Sequence, residues 1–195
     1  ARRLGLEKRI GKYTMSIKTL LASAALVLAA SGAFAENPMV GGAAMFADKN
    51  IVENAVNSAD HTTLVAAVKA AGLVETLKGA GPFTVFAPTN AAFDMLPAGS
   101  VDLLVKPYNK VTLTKVLTSH VVAGRMNAAD LVKMIKDGNG TGVLTTLSGH
   151  KLMLSRQGDA ILIKDENGGT AVVTTANVYQ SNGIIHVIDH VLIPS

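Results

Sequence analysis

Histidine is the residue in this chain best suited to chemistry, and there are five: His61, His120, His150, His186 and His190. His186 and His190 stand four apart, which on a helix would place two imidazoles side by side for a metal ion. Their surroundings, Ile184-Ile-His-Val-Ile-Asp-His-Val-Leu-Ile193, are rich in β-branched residues and end at Pro194. That composition predicts a strand, where the two rings share a face but lie roughly 13 Å apart at about 3.3 Å per residue. Two such rings cannot chelate one ion. Ser119-His120 pairs a nucleophile type with a base type, but in an extended segment adjacent side chains point to opposite faces. His120 is expected instead to be a buried imidazole that organises the core. Asp137-Gly-Asn-Gly-Thr-Gly142 opens like a calcium loop, yet position twelve is Ser148, where a bidentate carboxylate is needed. No Gly-x-Ser-x-Gly elbow occurs, and the acids are scattered singly. Cysteine is absent, which excludes disulfides, thiolate metal sites and a cysteine nucleophile. No cofactor or metal is expected.

The elements that must position these residues fall into two halves. Hydrophobic residues make up 49% of the 195 and charged ones 16%, enough apolar material for one folded domain. Helical spacing starts at Asn50 and recurs in Leu64, Val65, Val68 and Ala71, with Asp60 or Thr62 as the expected cap. Phe83-Thr-Val-Phe-Ala87 is a strand stopped by Pro88, and Thr89 or Asn90 caps a short helix. Leu113, Val116 and Leu117 mark a further helix, His120–Gly124 reads as extended, and Asn127 caps a helix ending at Gly138. Beyond that the period becomes that of strands: 143–147, 151–155, 160–164, 170–175 and 184–193, separated by Gly- and Asn-rich turns. Helices first and strands after predict an α+β fold. The 184–193 segment is apolar on both faces, so it belongs at the centre of the fold.

The net charge of +4 is local. Residues 1–35 carry +5, and residues 36–195 carry −1. No nucleic-acid partner follows from the basic balance. Aromatic residues are only 4%, with no Trp for stacking on bases or sugars. The basic segment contains Lys18, the apolar run Leu20–Ala30 and the pair Ala33-Phe-Ala35. A positive start, a short apolar middle and an Ala-x-Ala end form an export signal. Met15 is the expected start, residues 1–14 an upstream extension, and Glu36 the first residue after cleavage. The run is too short to span a bilayer, so no stable membrane insertion is expected after removal. Residues 36–49 are expected to be a flexible arm carrying two thioethers, Met39 and Met45, and residues 50–195 the folded domain.

Several of these stretches resemble one family. Phe83-Thr-Val-Phe-Ala-Pro-Thr-Asn-Ala-Ala-Phe93 resembles the first signature of the fasciclin-like domain, and Asn182-Gly-Ile-Ile-His-Val-Ile-Asp-His-Val-Leu-Ile-Pro194 its second. Thr62, Leu64, Val65 and Ala67, and Leu117–Gly124, stand in the expected order. The resemblance covers residues 50–195 and is similar to the small, single-domain, secreted bacterial members. It implies a wedge-like β-sandwich with helices packed around it. It also implies an adhesion or matrix-interaction module without catalysis, periplasmic or secreted, monomeric, with a cell-surface or matrix protein or polysaccharide as partner. Where the family usually has Tyr-His, this chain has Ser119-His120. The candidate motif or partner-contact residues are therefore His120, Ser119, Asn182, His186 and Asp189. The alternative is a periplasmic small-ligand or metal binder using the Met-bearing arm; a hydrolase has no readable triad. Exposed apolar surface would favour adhesion, and a deep apolar cavity with polar groups would favour ligand binding.

Overall fold

The structure, a computed structural model, describes residues 37–195. The expected export signal lies outside the described residues.

The helical half begins with a capping box. Asn50 accepts from the Glu53 N–H and the Glu53 carboxylate accepts from the Asn50 N–H, which starts α1 (Ile51–Ala55). A 3₁₀ turn, Ala59–His61, leads into α2 (Thr62–Ala71), closed by Gly72 in the left-handed region. The cap of α2 is neither Asp60 nor Thr62. Asn90, 27 residues on, accepts from the Thr63 N–H and the Thr62 hydroxyl and donates to the Ala59 carbonyl. After α3 (Val74–Lys78) comes β3 (Phe83–Pro88), and Thr89 caps α4 (Asn90–Asp94) through the Ala92 N–H. α5 (Ser100–Leu104) and α6 (Lys110–Thr118) follow, then β4 (Val121–Ala123). Asn127 and Asp130 form a second capping box for α7 (Ala128–Asp137).

The second half is a run of hairpins: β5 (Gly142–Thr145), β6 (Lys151–Gln157), β7 (Ala160–Lys164), β8 (Thr170–Gln180) and β9 (Gly183–Ile188). With β3 and β4 they build one seven-stranded sheet in the order β4-β3-β9-β8-β7-β6-β5. Only β3 and β9 run parallel, with Phe83 opposite Gly183 and Pro88 opposite Ile188. An isolated bridge between Val122 and Thr146 ties the two ends of the order together, so the sheet nearly closes on itself. β8 runs five residues past its expected end because two irregularities, between Val173 and Thr175 and between Thr175 and Val178, let it bend and continue pairing with β9.

Every residue of β9 is buried. Ile185 and Val187 face a core roofed by α1, α2, α4 and α6, while Ile188 faces a second core with Phe86, Leu154 and Ile163, covered by Leu131 and Ile135 of α7. Burying Phe86 alone contributes about 1.5–3 kcal/mol.

Two further expectations change. The segment expected as a flexible arm is a hairpin, β1 (Met39–Val40) with β2 (Ala43–Ala44), and Val40 and Met45 enter the helical-side core. Two-residue strands carry no alternation to read. Gly41 makes the turn possible: its φ is +56°, and a Cβ there would stand 2.4 Å from Ser58 Oγ. The expected strand over 184–193 stops at Ile188. Beyond it, side chains take the backbone N–H groups that a ladder would have used: His120 that of Leu192, and Asp165 that of Ile193.

Candidate functional site

Four of the five residues singled out in the sequence are buried. His120 lies where α6 turns into β4. Its Nδ1–H donates to the Val116 carbonyl at 2.8 Å, which leaves Nε2 bare to accept from the Leu192 N–H at 2.9 Å. Complete burial holds its pKa down at about 4, outweighing the Val116 carbonyl and the charge of Asp165, so the ring is neutral. Ser119 ends α6 in helical conformation instead of standing in an extended run. Its hydroxyl donates to the Lys115 carbonyl and meets Ser148, which meets Thr146 in turn.

Asn182, in the β8–β9 turn, accepts from the Ile51 N–H and donates to the Leu77 and Gly79 carbonyls, binding α1 and α3 to the sheet. His186 donates from Nε2 to the Met126 carbonyl at 2.8 Å and stacks on Phe86 with centroids 5.7 Å apart. Burial lowers its pKa as well. Asp189 is half-buried. Desolvation works against its charge, but hydrogen bonds from His190 and the Val172 N–H prevail and keep its carboxyl below the usual range. The five are dispersed through the domain, each joining elements distant in sequence.

Met39 and Met45 do not converge: one is 61% exposed and the other 2%. Among the described residues no group of three or more His, Asp or Glu gathers as metal ligands would.

Sequence reasoning passed over two features. The first is surface. Leu103 near the end of α5, Tyr108 in the connection and Val111 at the start of α6 are 54%, 74% and 83% exposed, and the connection is fastened by Asn109 Nδ2 donating to the Leu103 carbonyl. The second is a cavity of about 60 Å³ between the helical layer and the sheet. It is lined by apolar side chains, among them Met45, Leu64, Val68 and Val85, with Ser58 and His61 also on its wall. His61 is 3% exposed and Nδ1 lies 2.8 Å from Ser58 Oγ. Its Nε2 is a buried side-chain polar atom without a hydrogen-bond partner. Burial lowers its pKa, so the ring is neutral; the nearby Ala87 carbonyl opposes that shift without completing a hydrogen bond. Leaving such an atom unpaired costs about 1–3 kcal/mol. The only sequence signal was a histidine just ahead of the apolar stripe Leu64, Val65 and Val68.

Comparison with known proteins accounts for this arrangement. The fasciclin domain family matches residues 59–194. A Synechocystis protein, sll1483, is 43% identical over 82% of this chain and 81% of its own. The cell surface glycolipoprotein MPB83 of Mycobacterium bovis is 34% identical over 82% of this chain and 68% of its own. Among solved structures, the FAS1 domain pair of the insect cell adhesion molecule fasciclin I superposes with a TM-score of 0.66 at 18% identity, covering 74% of this chain and 51% of that one. The chain thus spans about half of that domain pair and shares its fold. With both signature stretches buried in matching architecture, the chain belongs to the fasciclin domain family.

Proposed function

We propose that this chain is an exported, non-catalytic interaction module that attaches to a cell-surface or matrix protein or polysaccharide. The observation that carries the reading is the exposed apolar triplet Leu103, Tyr108 and Val111, set on a domain whose signature residues are committed to internal hydrogen bonds. Exposed apolar side chains grouped in one short stretch of chain are what an interaction site can use. One relative is named a cell surface glycolipoprotein and the structural neighbour a cell adhesion molecule, which supports the same setting. Among the described residues no helix is long and apolar enough to cross a membrane.

The geometry of the buried Ser58–His61 pair supports the non-catalytic reading. Ser58 and His61 are hydrogen-bonded, but a hydrolytic pair needs the nucleophile on one ring nitrogen and an orienting acid on the other. Here Ser58 holds Nδ1, and Nε2 has no hydrogen-bond partner.

The test uses the exported protein. N-terminal sequencing should find Glu36 first; a retained apolar segment would refute export by cleavage. Replacing Leu103, Tyr108 and Val111 together by Ser should abolish attachment to cells while moving stability by less than about 1 kcal/mol, as exposed substitutions do. Undiminished attachment by the triple variant would overturn the surface assignment.

A further inference from the structure

We propose that Asn139 is an acceptor site for an N-linked saccharide, presented by the turn between α7 and β5. The proposal rests on the export reading in one respect: donor and acceptor must meet outside the cytoplasm.

The turn is Asp137-Gly-Asn-Gly-Thr-Gly142, the stretch that opens like a calcium loop. Within it, Asn139-Gly140-Thr141 has the form Asn-x-Thr, in which the side-chain amide takes the sugar and the transferase reads the hydroxyl two places on. No other asparagine in the chain has Ser or Thr at that spacing. Asp137 supplies an acid two places before Asn139, the form of acceptor that bacterial transferases select.

The structure presents these groups to solvent. Asn139 and Thr141 are both exposed, and no side-chain hydrogen bond holds either of them among the described residues. Asn139 has φ +53°, so a left-handed turn accounts for asparagine there, as it does at Asn177 with φ +62°. The two differ in what the amide does. Asn177 Oδ1 accepts from the Ala128 N–H at 2.8 Å, whereas the Asn139 amide is left to solvent. Thr141 has no such backbone reason: its N–H donates to the Gly138 carbonyl, which any residue but proline would do. Open space surrounds the tip, since a Cβ placed on Gly140 would meet no atom within 4 Å. The turn can also open into a transferase cleft. Two of its backbone bonds, Asn139 N–H to the Lys136 carbonyl and Thr141 N–H to the Gly138 carbonyl, span 3.2 Å, at the weak end of the range.

In the transfer, Asn139 Nδ2 bonds to the anomeric carbon of a saccharide carried on a lipid pyrophosphate. The bond from that carbon to the pyrophosphate oxygen breaks, the lipid pyrophosphate leaves with the electron pair, and the amide gives up one proton. Nothing is oxidised or reduced.

The chain recovered from outside its own cells should carry one saccharide at Asn139, read as added mass on the intact protein and placed by peptide mapping. The same sample gives the N-terminus. A chain beginning at Glu36 with Asn139 unmodified overturns the proposal and leaves export standing. An uncleaved chain refutes export, and a reaction in solution then decides. There the folded full chain is mixed with a bacterial oligosaccharyltransferase and a saccharide on a lipid pyrophosphate. Thr141→Ser should retain the modification, while Thr141→Val and Asn139→Asp should lose it. Both positions are exposed and Asp tolerates the left-handed turn, so these variants keep the fold. Failure of the folded chain to accept the saccharide overturns the proposal, as does modification that persists in Thr141→Val.

Discussion

The two cores of this domain are packed differently. The core enclosed by the sheet and α7 is filled by long side chains from regular hairpins, with Leu144, Leu152, Leu154, Ile163, Ile188 and Leu192 almost completely buried. The core under the helices relies on Val and Ala, takes side chains from several short helices and a two-residue-strand hairpin, and retains the cavity with its unpaired histidine. Hairpins fix side chains at a constant spacing, so successive residues interdigitate. Short helices meeting at independent angles leave a space that none of their side chains fits.

The contrast breaks first if the sheet-side core tolerates truncation. Leu154→Ala should destabilise the domain by about 2–5 kcal/mol, seen as a lower denaturant midpoint; a cost under 1 kcal/mol would show that core to be loosely packed.

Acid comes next. The folded-state pKa of His120 is depressed from 6.5 to about 4, so the unfolded chain binds its proton first as pH falls. Its contribution is fully present above about pH 6.5 and is lost on the way down to about pH 4, a total of about 3 kcal/mol. His61 and His186 are shifted the same way and add to the slope. Equilibrium unfolding between pH 7 and 4 should show this decline, and His120→Gln should flatten it. His120→Ala should lower stability and reduce attachment only as a consequence.

Ser119→Tyr restores the aromatic residue usual in the family at a position closed by Lys115 and Ser148. It should cost about 1–3 kcal/mol through overpacking without creating a new binding partner, checked by thermal melting beside attachment. The smallest effect sharpens the comparison. Val68→Leu adds one methylene to the wall of the cavity and should change stability by less than about 1 kcal/mol, toward stabilisation, where a similar enlargement of Leu144 should be costly.

What could be read beforehand was what is local. Asn127 and Thr89 act as helix caps, Pro88 ends β3, and the two-sided burial of the final strand was visible in the apolar residues on both faces of 184–188. What escaped depends on residues far apart. Asn90 caps a helix 27 residues earlier, and Ser58 meets His61 beneath a hairpin too short for a periodic pattern. The end of β9 depends on His120 and Asp165 taking the N–H groups of Leu192 and Ile193, 72 and 28 residues away.

The parallel pairing of β3 with β9 also governs the order in which the chain can fold. Phe83 waits for Gly183, and the Ile51 N–H waits for an acceptor 131 residues downstream at Asn182. Until the last strand arrives, β3 has only β4 beside it and β8 only β7, so the two groups of strands meet only at the Val122–Thr146 bridge. Closing loops of this length precedes any reward from the contacts they bring, which places folding on the slow, millisecond-to-second side of the range for single domains. A chain threaded through a membrane from its N-terminus would therefore stay unlocked until β9 emerges, and the closing of the sheet on the far side would coincide with the insertion of that one buried strand.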